Sequence, residues 1–126
     1  MGDPSAFYHL ALIHHYGKGG VLKNPEKAVF LYNKAVEFGH CQSMNNLGVI
    51  YHYGEGTIEK NIQKAIEYYQ KATELKNSKA FYHLALIYKN GDEGIQKDIK
   101  KSVELFEKAI LLRNVILYII FIFYFF

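Results

Sequence analysis

The sequence contains one cysteine, Cys41, one arginine, Arg113, and no tryptophan among its 126 residues. A single cysteine excludes an intrachain disulfide framework, so the fold must depend on its hydrophobic core. Lysine supplies nearly all of the positive charge, and the longest basic run is the pair Lys100 and Lys101. Nucleic-acid interfaces favour clustered arginine, which binds phosphates and base edges through two hydrogen bonds at once, so we expect no nucleic-acid partner.

The N-terminal segment also lacks the basic region and the long apolar stretch of a secretory signal. Together with the single cysteine, this favours a cytoplasmic location, with membrane association as the alternative.

An internal repeat organises the chain. The string AFYHLALI occurs at residues 6–13 and again at 80–87, a separation of 74 residues, or twice 37. A 37-residue period without insertions then places three units at about 2–39, 40–76 and 77–114. Each unit has two segments with apolar or small residues at the i, i+3, i+4, i+7 spacing, which predicts a pair of amphipathic helices. Small residues recur at positions 11, 48 and 85 and at 28, 65 and 102, where helix axes are expected to approach closely.

The helix ends follow the same period. Asn24, Asn61 and Asp98 stand where a second helix begins, and their side chains can accept hydrogen bonds from the free amides of the first turn. Glycine is expected to end the first helix of each unit, at positions 17, 54 and 91. Gly39 is expected to end the second helix of the first unit. Its counterparts in the other two units, Lys76 and Arg113, are predicted to place a cation at a helix C-terminus.

These motifs resemble the Sel1-like repeat. The second unit carries the resemblance best, with SMNNLGVIYHYGEG at 43–56 and KNIQKAIEYYQKATELK at 60–76. The first unit has His14 where the family has tyrosine, and the third has NGDEG at 90–94 in place of G-x-G. The resemblance implies an all-α fold, an α-solenoid of stacked helix pairs in a right-handed superhelix, and an adaptor that assembles protein complexes. It supplies no catalytic site. A penicillin-related activity is described for cysteine-rich relatives with a disulfide in each repeat, and it is not carried over to a chain with one cysteine.

A scaffold of this kind is expected to bind a protein or peptide on the concave face formed by the first helices. The predicted contact residues, which helical spacing places outward, are Tyr8, Leu12, His15, Asn45, Val49, His52, Tyr82, Leu86 and Lys89. Tyr8 and Tyr82 are the preferred anchors, because a tyrosine ring gives contact area at little entropic cost. The alternative is that some of these side chains pack against the neighbouring repeat.

Other site types are not supported by the sequence. Adjacent His14 and His15 point about 100° apart on a helix and cannot both face one ion, so no metal is expected. The glycines at 17, 19 and 20 follow a helix, which differs from a phosphate-binding loop between a strand and a helix. The glutamates alternate with lysines on solvated faces. We therefore predict no enzyme activity, no cofactor and no small-molecule substrate.

After Asn114 the chain reads VILYIIFIFYFF, an apolar tail at 115–126 that breaks the repeat period. As a helix these residues would reach only about 18 Å, against about 30 Å of bilayer hydrocarbon. Three interpretations remain open: a membrane anchor that tethers the adaptor, a cap on the last repeat, or sequence that is not native coding sequence, which we prefer. A further hypothesis is a regulatory repeat module within a longer multidomain signalling protein. Gly2 lies 37 residues before Gly39 and no polar capping helix is recognisable, so the chain is expected to be one section of a longer repeat protein.

Overall fold

The computed structural model describes residues 2–125, without the side chain of Tyr118, and the final residue of the apolar tail, Phe126, lies outside the described residues. Six α-helices follow one another along residues 2–125. They are α1 (Pro4–Tyr16), α2 (Pro25–Val36), α3 (Cys41–Tyr53), α4 (Ile62–Glu74), α5 (Ser78–Asn90) and α6 (Ile99–Phe125). The described residues form no strand beyond two isolated bridges, Glu55 with Ile58 and Asp92 with Ile95. The predicted all-α class, with two helices for each 37-residue unit, is confirmed.

The predicted helix starts are confirmed by their hydrogen bonds. The side-chain oxygens of Asn24, Asn61 and Asp98 each accept a bond of 3.0 Å from the backbone amide three residues later. Their own backbone amides donate to the carbonyls of residues 14, 51 and 88, in each case at 2.7 Å. This bond ties the start of a second helix to the end of the first, so the same joint recurs in each repeat.

Glycine ends the first helices, as predicted. The φ angles of Gly17, Gly54 and Gly91 are 67°, 72° and 71°, values that favour glycine because it has no Cβ. Lys76 takes the left-handed conformation of Gly39, with φ of 62°, and is the single non-glycine residue with positive φ among the described residues.

The last helix does not end where the sequence analysis placed its end. Arg113 lies inside α6, which continues without a break to Phe125. Neither Arg113 nor Asn114 leaves the helical conformation, and the apolar residues that follow extend the hydrogen-bonded ladder by one bond for each residue fixed. The prediction of a helix C-terminus at Arg113 is therefore wrong.

The chain divides into two compact units, residues up to Ala72 and residues from Thr73 onward. The core of the first unit is built by residues of α1, α2 and α3 that are buried together. They are Ala11, Ala28, Leu31, Tyr32, Leu47 and Ile50. In the second unit, α5 packs along α6, and the Ser102 hydroxyl donates to the Ala85 carbonyl at 2.8 Å.

The small residues permit close packing, as predicted. A Cβ atom placed on Gly48 of α3 would lie 2.5 Å from ring atoms Cδ1 and Cε1 of Tyr69 of α4. The corresponding positions, Ala11 and Ala85, are fully buried. Close approach of the two helices in a repeat therefore leaves room for one methyl group at most.

Candidate functional site

Three of the predicted contact residues are buried. His15, Asn45 and His52 expose 2%, 4% and 7% of their surface, so the prediction that their side chains point outward is wrong. Both histidines instead face the second helix of their own repeat, where each meets a buried tyrosine hydroxyl. The alternative interpretation placed such side chains against the neighbouring repeat, whereas each of the two histidines bonds to a tyrosine of its own repeat.

His15 is the centre of a hydrogen-bonded chain. Its Nε2 lies 3.0 Å from Oε1 of Glu55, and its Nδ1 lies 2.9 Å from the hydroxyl of Tyr32. A carboxylate only accepts, so Nε2 carries the hydrogen, and in the neutral ring Nδ1 then accepts from the Tyr32 hydroxyl. The Tyr32 oxygen in turn accepts from Nδ2 of Asn46 at 3.3 Å. The chain links the first repeat to Glu55 and Asn46 of the second, and Lys23 Nζ lies 3.8 Å from the second Glu55 oxygen.

The second repeat reproduces the central bond of this chain. Nδ1 of His52 lies 3.3 Å from the hydroxyl of Tyr69, at the positions that His15 and Tyr32 occupy 37 residues earlier. In the third repeat both members are different, because Lys89 replaces the histidine and Phe106 replaces the tyrosine. A buried tyrosine hydroxyl needs a partner, so the joint loss of both groups leaves no unsatisfied hydroxyl.

The remaining predicted residues lie at different depths. Tyr8 is half-buried, with its ring 4.7 Å from the His40 ring and 6.2 Å from the Tyr32 ring. Tyr82 is exposed and packs beside Phe106 at 5.9 Å. Lys89 is exposed. The aliphatic positions Leu12, Val49 and Leu86 are half-buried.

The most exposed aromatic rings on the first helices lie one residue beyond the two buried histidines. Tyr16 and Tyr53 expose 57% and 60% of their surface. Each stacks on the preceding histidine, with ring centroids 4.3 Å apart for Tyr16 on His15 and 4.2 Å apart for Tyr53 on His52. Because each histidine is itself hydrogen-bonded to a buried tyrosine, the exposed rings rest on fixed supports. Lys18 Nζ adds a cation 5.7 Å from the centre of the Tyr16 ring.

Exposed and half-buried residues continue from these rings along one side of each helix. With spacings of four, three and four residues they form a stripe on α1 and a stripe on α3, which we call together the tyrosine face. Its residues are Ser5, His9, Leu12 and Tyr16 on α1, and Gln42, Asn46, Val49 and Tyr53 on α3.

The Tyr16 phenol is neutral at physiological pH, and partial burial strengthens this preference. Partial burial, and then the nearby Glu55 carboxylate and Tyr8, raise the pKa of Tyr16 above its usual 10.0. The hydroxyl therefore remains a hydrogen-bond donor throughout the physiological pH range. Within residues 2–125, no group of three or more histidine, cysteine or acidic side chains is arranged to hold a metal ion.

The tyrosine face is displaced by one position from most of the predicted contact residues. On α1 the predicted outward residues are 8, 12 and 15, whereas residues 5, 9, 12 and 16 form the face, so Leu12 and Val49 alone belong to both sets. A signal was present: His15 with Tyr32 and His52 with Tyr69 share one spacing and change together in the third repeat. Such paired variation indicates a contact rather than a free surface.

Comparisons with known proteins identify a repeat family and solved structures with a similar fold. The chain matches the Sel1 repeat family at residues 4–40, 41–77 and 78–114. A protective antigen of uropathogenic Escherichia coli that displays an SLR fold is similar in structure, with a TM-score of 0.78 and 30% identity over 86% of this chain and 23% of that one. A Sel1 repeat protein from Oxalobacter formigenes has a TM-score of 0.78 and 28% identity, over 87% of this chain and 44% of that one.

A third structure shares the fold. The cysteine-rich protein B of Helicobacter pylori has a TM-score of 0.67 and 24% identity, over 86% of this chain and 84% of that one. This chain spans less than half the length of the first two relatives. No curated protein matches it in sequence.

Proposed function

We propose that this chain, which belongs to the Sel1 repeat family, binds a protein partner through its tyrosine face, with Tyr16 and Tyr53 as the anchors. Sel1 repeats are generally protein–protein interaction modules, and the proteins built from them are typically non-enzymatic scaffolds. The observation that carries the proposal is the pair of exposed tyrosine rings, each stacked on a buried, hydrogen-bonded histidine.

This arrangement suits binding because the rings are already held in place. Association costs about 0.5–1.5 kcal/mol for each flexible side chain that becomes immobilised, and a stacked ring has less freedom left to lose. The half-buried aliphatic residues Leu12 and Val49 lie beside the anchors and add apolar contact area. Tyrosine is among the residues that contribute most to interfaces, and neighbouring side chains that exclude water support such an anchor. His15 and His52 act here as positioning residues.

The test replaces the anchors and keeps their supports. A photo-crosslinking residue at position 16 or 53 should capture a protein partner in cells, and the Tyr16→Ala/Tyr53→Ala variant should lose that partner with unchanged helicity. The matched control is Phe30→Ala/Phe38→Ala, which removes two exposed aromatic rings from outside the tyrosine face.

Two results would contradict the proposal. One is equal loss of the partner in the control variant, and the other is retention of the partner in the tyrosine variant. Loss of helicity in the tyrosine variant would contradict the premise that both rings are exposed anchors for a partner rather than core residues.

A second candidate function, membrane tethering, is favoured by the end of α6. By length and composition, α6 could cross a membrane, and none of its most apolar stretch is buried. From Val115 to Phe125 every side chain whose placement is described is aliphatic or aromatic, and these side chains are exposed on all sides of the helix. A helix that is apolar all round requires an apolar environment, which is protein or lipid. These residues would reach about 16 Å, enough to enter one leaflet, with Arg113 at the level of the lipid headgroups.

Flotation on phospholipid vesicles tests the tether. The full chain should float with the vesicles, and the chain without residues 115–126 should remain at the bottom of the gradient. Substituting Ile116, Ile120 and Phe123 by serine should give the same result without shortening the chain. Flotation of either variant would contradict the tether.

A further inference from the structure

The first helix leaves uncovered a face that its counterparts bury. Leu10 exposes 44% of its surface, whereas the equivalent Leu47 and Leu84 expose 0% and 4%. Ala6 is exposed and Phe7 is half-buried, although the residues at those positions of α3 and α5 are all buried. With Gly2 and Asp3, these three residues line a shallow, mostly apolar depression of about 180 Å³. We call it the α1 face.

A second uncovered surface lies in the other unit, between α5 and α6. It is an open groove of about 450 Å³, which we call the α5–α6 groove. The residues that line it are Ser78, Lys79, Tyr82, Phe106, Ala109, Ile110 and Arg113. Its surface is mostly apolar, two of its residues carry a positive charge, and none of them is acidic.

The first unit shows what such a groove receives. At the positions equivalent to Tyr82, Phe106 and Ala109, α1 and α2 carry Tyr8, Tyr32 and Ala35. The N-cap of α3, His40, and Asn46 within α3 contact these three residues. The His40 ring lies 4.7 Å from the Tyr8 ring, and the His40 amide donates to the Ala35 carbonyl at 3.3 Å. Nδ2 of Asn46 donates to the Tyr32 hydroxyl. The groove of a repeat therefore accepts the first helix of another repeat.

We propose that two copies of this chain associate head to tail, with the α1 face of one copy in the α5–α6 groove of the other. The repeat period aligns Ala6, Phe7 and Leu10 of the entering helix with Ser43, Met44 and Leu47 of α3, which are buried in the first unit. Burial of Leu10 and Phe7 would supply the apolar contribution to this contact.

The charges of the two surfaces also favour a second copy of this chain in the groove. Asp3 of the entering copy aligns with His40, so its carboxylate would lie at the end of the groove that carries Arg113, the counterpart of Gly39. Lys79 is the second cation on that surface. The contact joins two different surfaces, so each copy keeps one surface free and can bind a further copy.

Complementary variants test this directly. Leu10→Glu damages the α1 face only, and Ile110→Glu damages the α5–α6 groove only; both side chains are exposed, so neither change should unfold the chain. Sedimentation velocity of the full chain is measured over a range of concentrations, in a mild detergent that covers the apolar end of α6. The matched control is Leu111→Glu, which alters an exposed leucine of α6 outside the groove.

The wild type and the control should associate as concentration rises, and each of the two variants should associate at least about tenfold more weakly. An equal mixture of the two variants should form a one-to-one dimer and nothing larger, because each supplies the surface that the other lacks. Arg113→Glu should also weaken association and reduce its dependence on salt, which provides a second test of the groove.

A wild type that stays monomeric at all concentrations would overturn the proposal. So would association that Leu10→Glu and Ile110→Glu leave unchanged, since the contact would then lie elsewhere, for example on the apolar end of α6. A mixture of the two variants that remains monomeric would also overturn it.

Discussion

Replacing His15 by leucine tests whether the buried hydrogen-bonded chain stabilises the first unit. The substitution keeps a side chain of similar size in a site that is 2% exposed, and it removes both ring nitrogens. The Tyr32 hydroxyl then loses its acceptor in a fully buried position, which costs about 1–3 kcal/mol. Loss of the bond to Glu55 costs about 1 kcal/mol, because that carboxylate is partly exposed and has Lys23 nearby. Extra apolar burial by leucine offsets about 1 kcal/mol.

The expected net effect of His15→Leu is therefore a loss of about 2 kcal/mol in the free energy of unfolding. Urea unfolding of the full chain, followed by circular dichroism in a mild detergent, should show a midpoint lower by about 1 M. His9→Leu is the control, since His9 is exposed and its replacement should change stability by less than about 0.5 kcal/mol.

A double-mutant cycle identifies the source of this loss. If an orphaned hydroxyl causes it, adding Tyr32→Phe to His15→Leu should cost less than the sum of the two single changes, by about 1 kcal/mol or more. Strict additivity of the two changes would refute the reasoning, as would a His15→Leu variant as stable as the His9→Leu control.

Three further changes are expected to report on other contacts. Gly48→Ala should lower the thermal midpoint, because overpacking against the Tyr69 ring costs about 1–3 kcal/mol, more than the gain of about 1 kcal/mol in helix propensity; a higher midpoint would contradict this packing. Hydrogen bonds from Thr57 lower the pKa of Glu26 below its usual 4.5. The ionised Glu26 carboxylate thus stabilises the fold above that pH, and the stability difference between the wild type and Glu26→Gln should vanish as pH falls through the lowered pKa. Burial raises the pKa of Tyr32 well above 10.0, so stability should decline as pH rises above 10, where the unfolded chain ionises first, and Tyr32→Phe should show a shallower decline in alkaline urea titrations.

Much of the fold could be predicted because its signals are local and repeated. The cap at Asn24 depends on residues within one turn, and the same side-chain chemistry appears 37 residues later at Asn61. The glycine ends are equally local, since a left-handed φ at Gly17 needs no distant partner. Three copies in register multiply each weak signal, so the helix pairs followed from the sequence.

The face of the first helices could not be predicted in the same way. Helical spacing fixes which side chains share a side, but it does not state which side faces the second helix. Position 15 carries a polar histidine whose burial is compensated by hydrogen bonds to Tyr32 and Glu55, and Glu55 lies 40 residues away in the chain. The end of α6 escaped prediction for the opposite reason, because no local break occurs at Arg113 and the helix continues.

The third repeat differs from the first two at the positions of the buried histidine and tyrosine. Where the first two repeats place a buried tyrosine bonded to a histidine, the third places Phe106, whose ring helps to line an open groove. Lys89 and Phe106 cannot form the hydrogen bond that histidine and tyrosine form at the equivalent positions of the first two repeats. Position 90, the equivalent of Tyr16 and Tyr53, is asparagine and carries no ring. The third repeat thus lacks a stacked tyrosine anchor and instead has an apolar groove free of a buried hydroxyl. The third repeat has no histidine–tyrosine bond and presents an apolar groove instead. We therefore assign partner binding to the tyrosine face of the first two repeats, and self-association to this groove together with the α1 face of the first repeat.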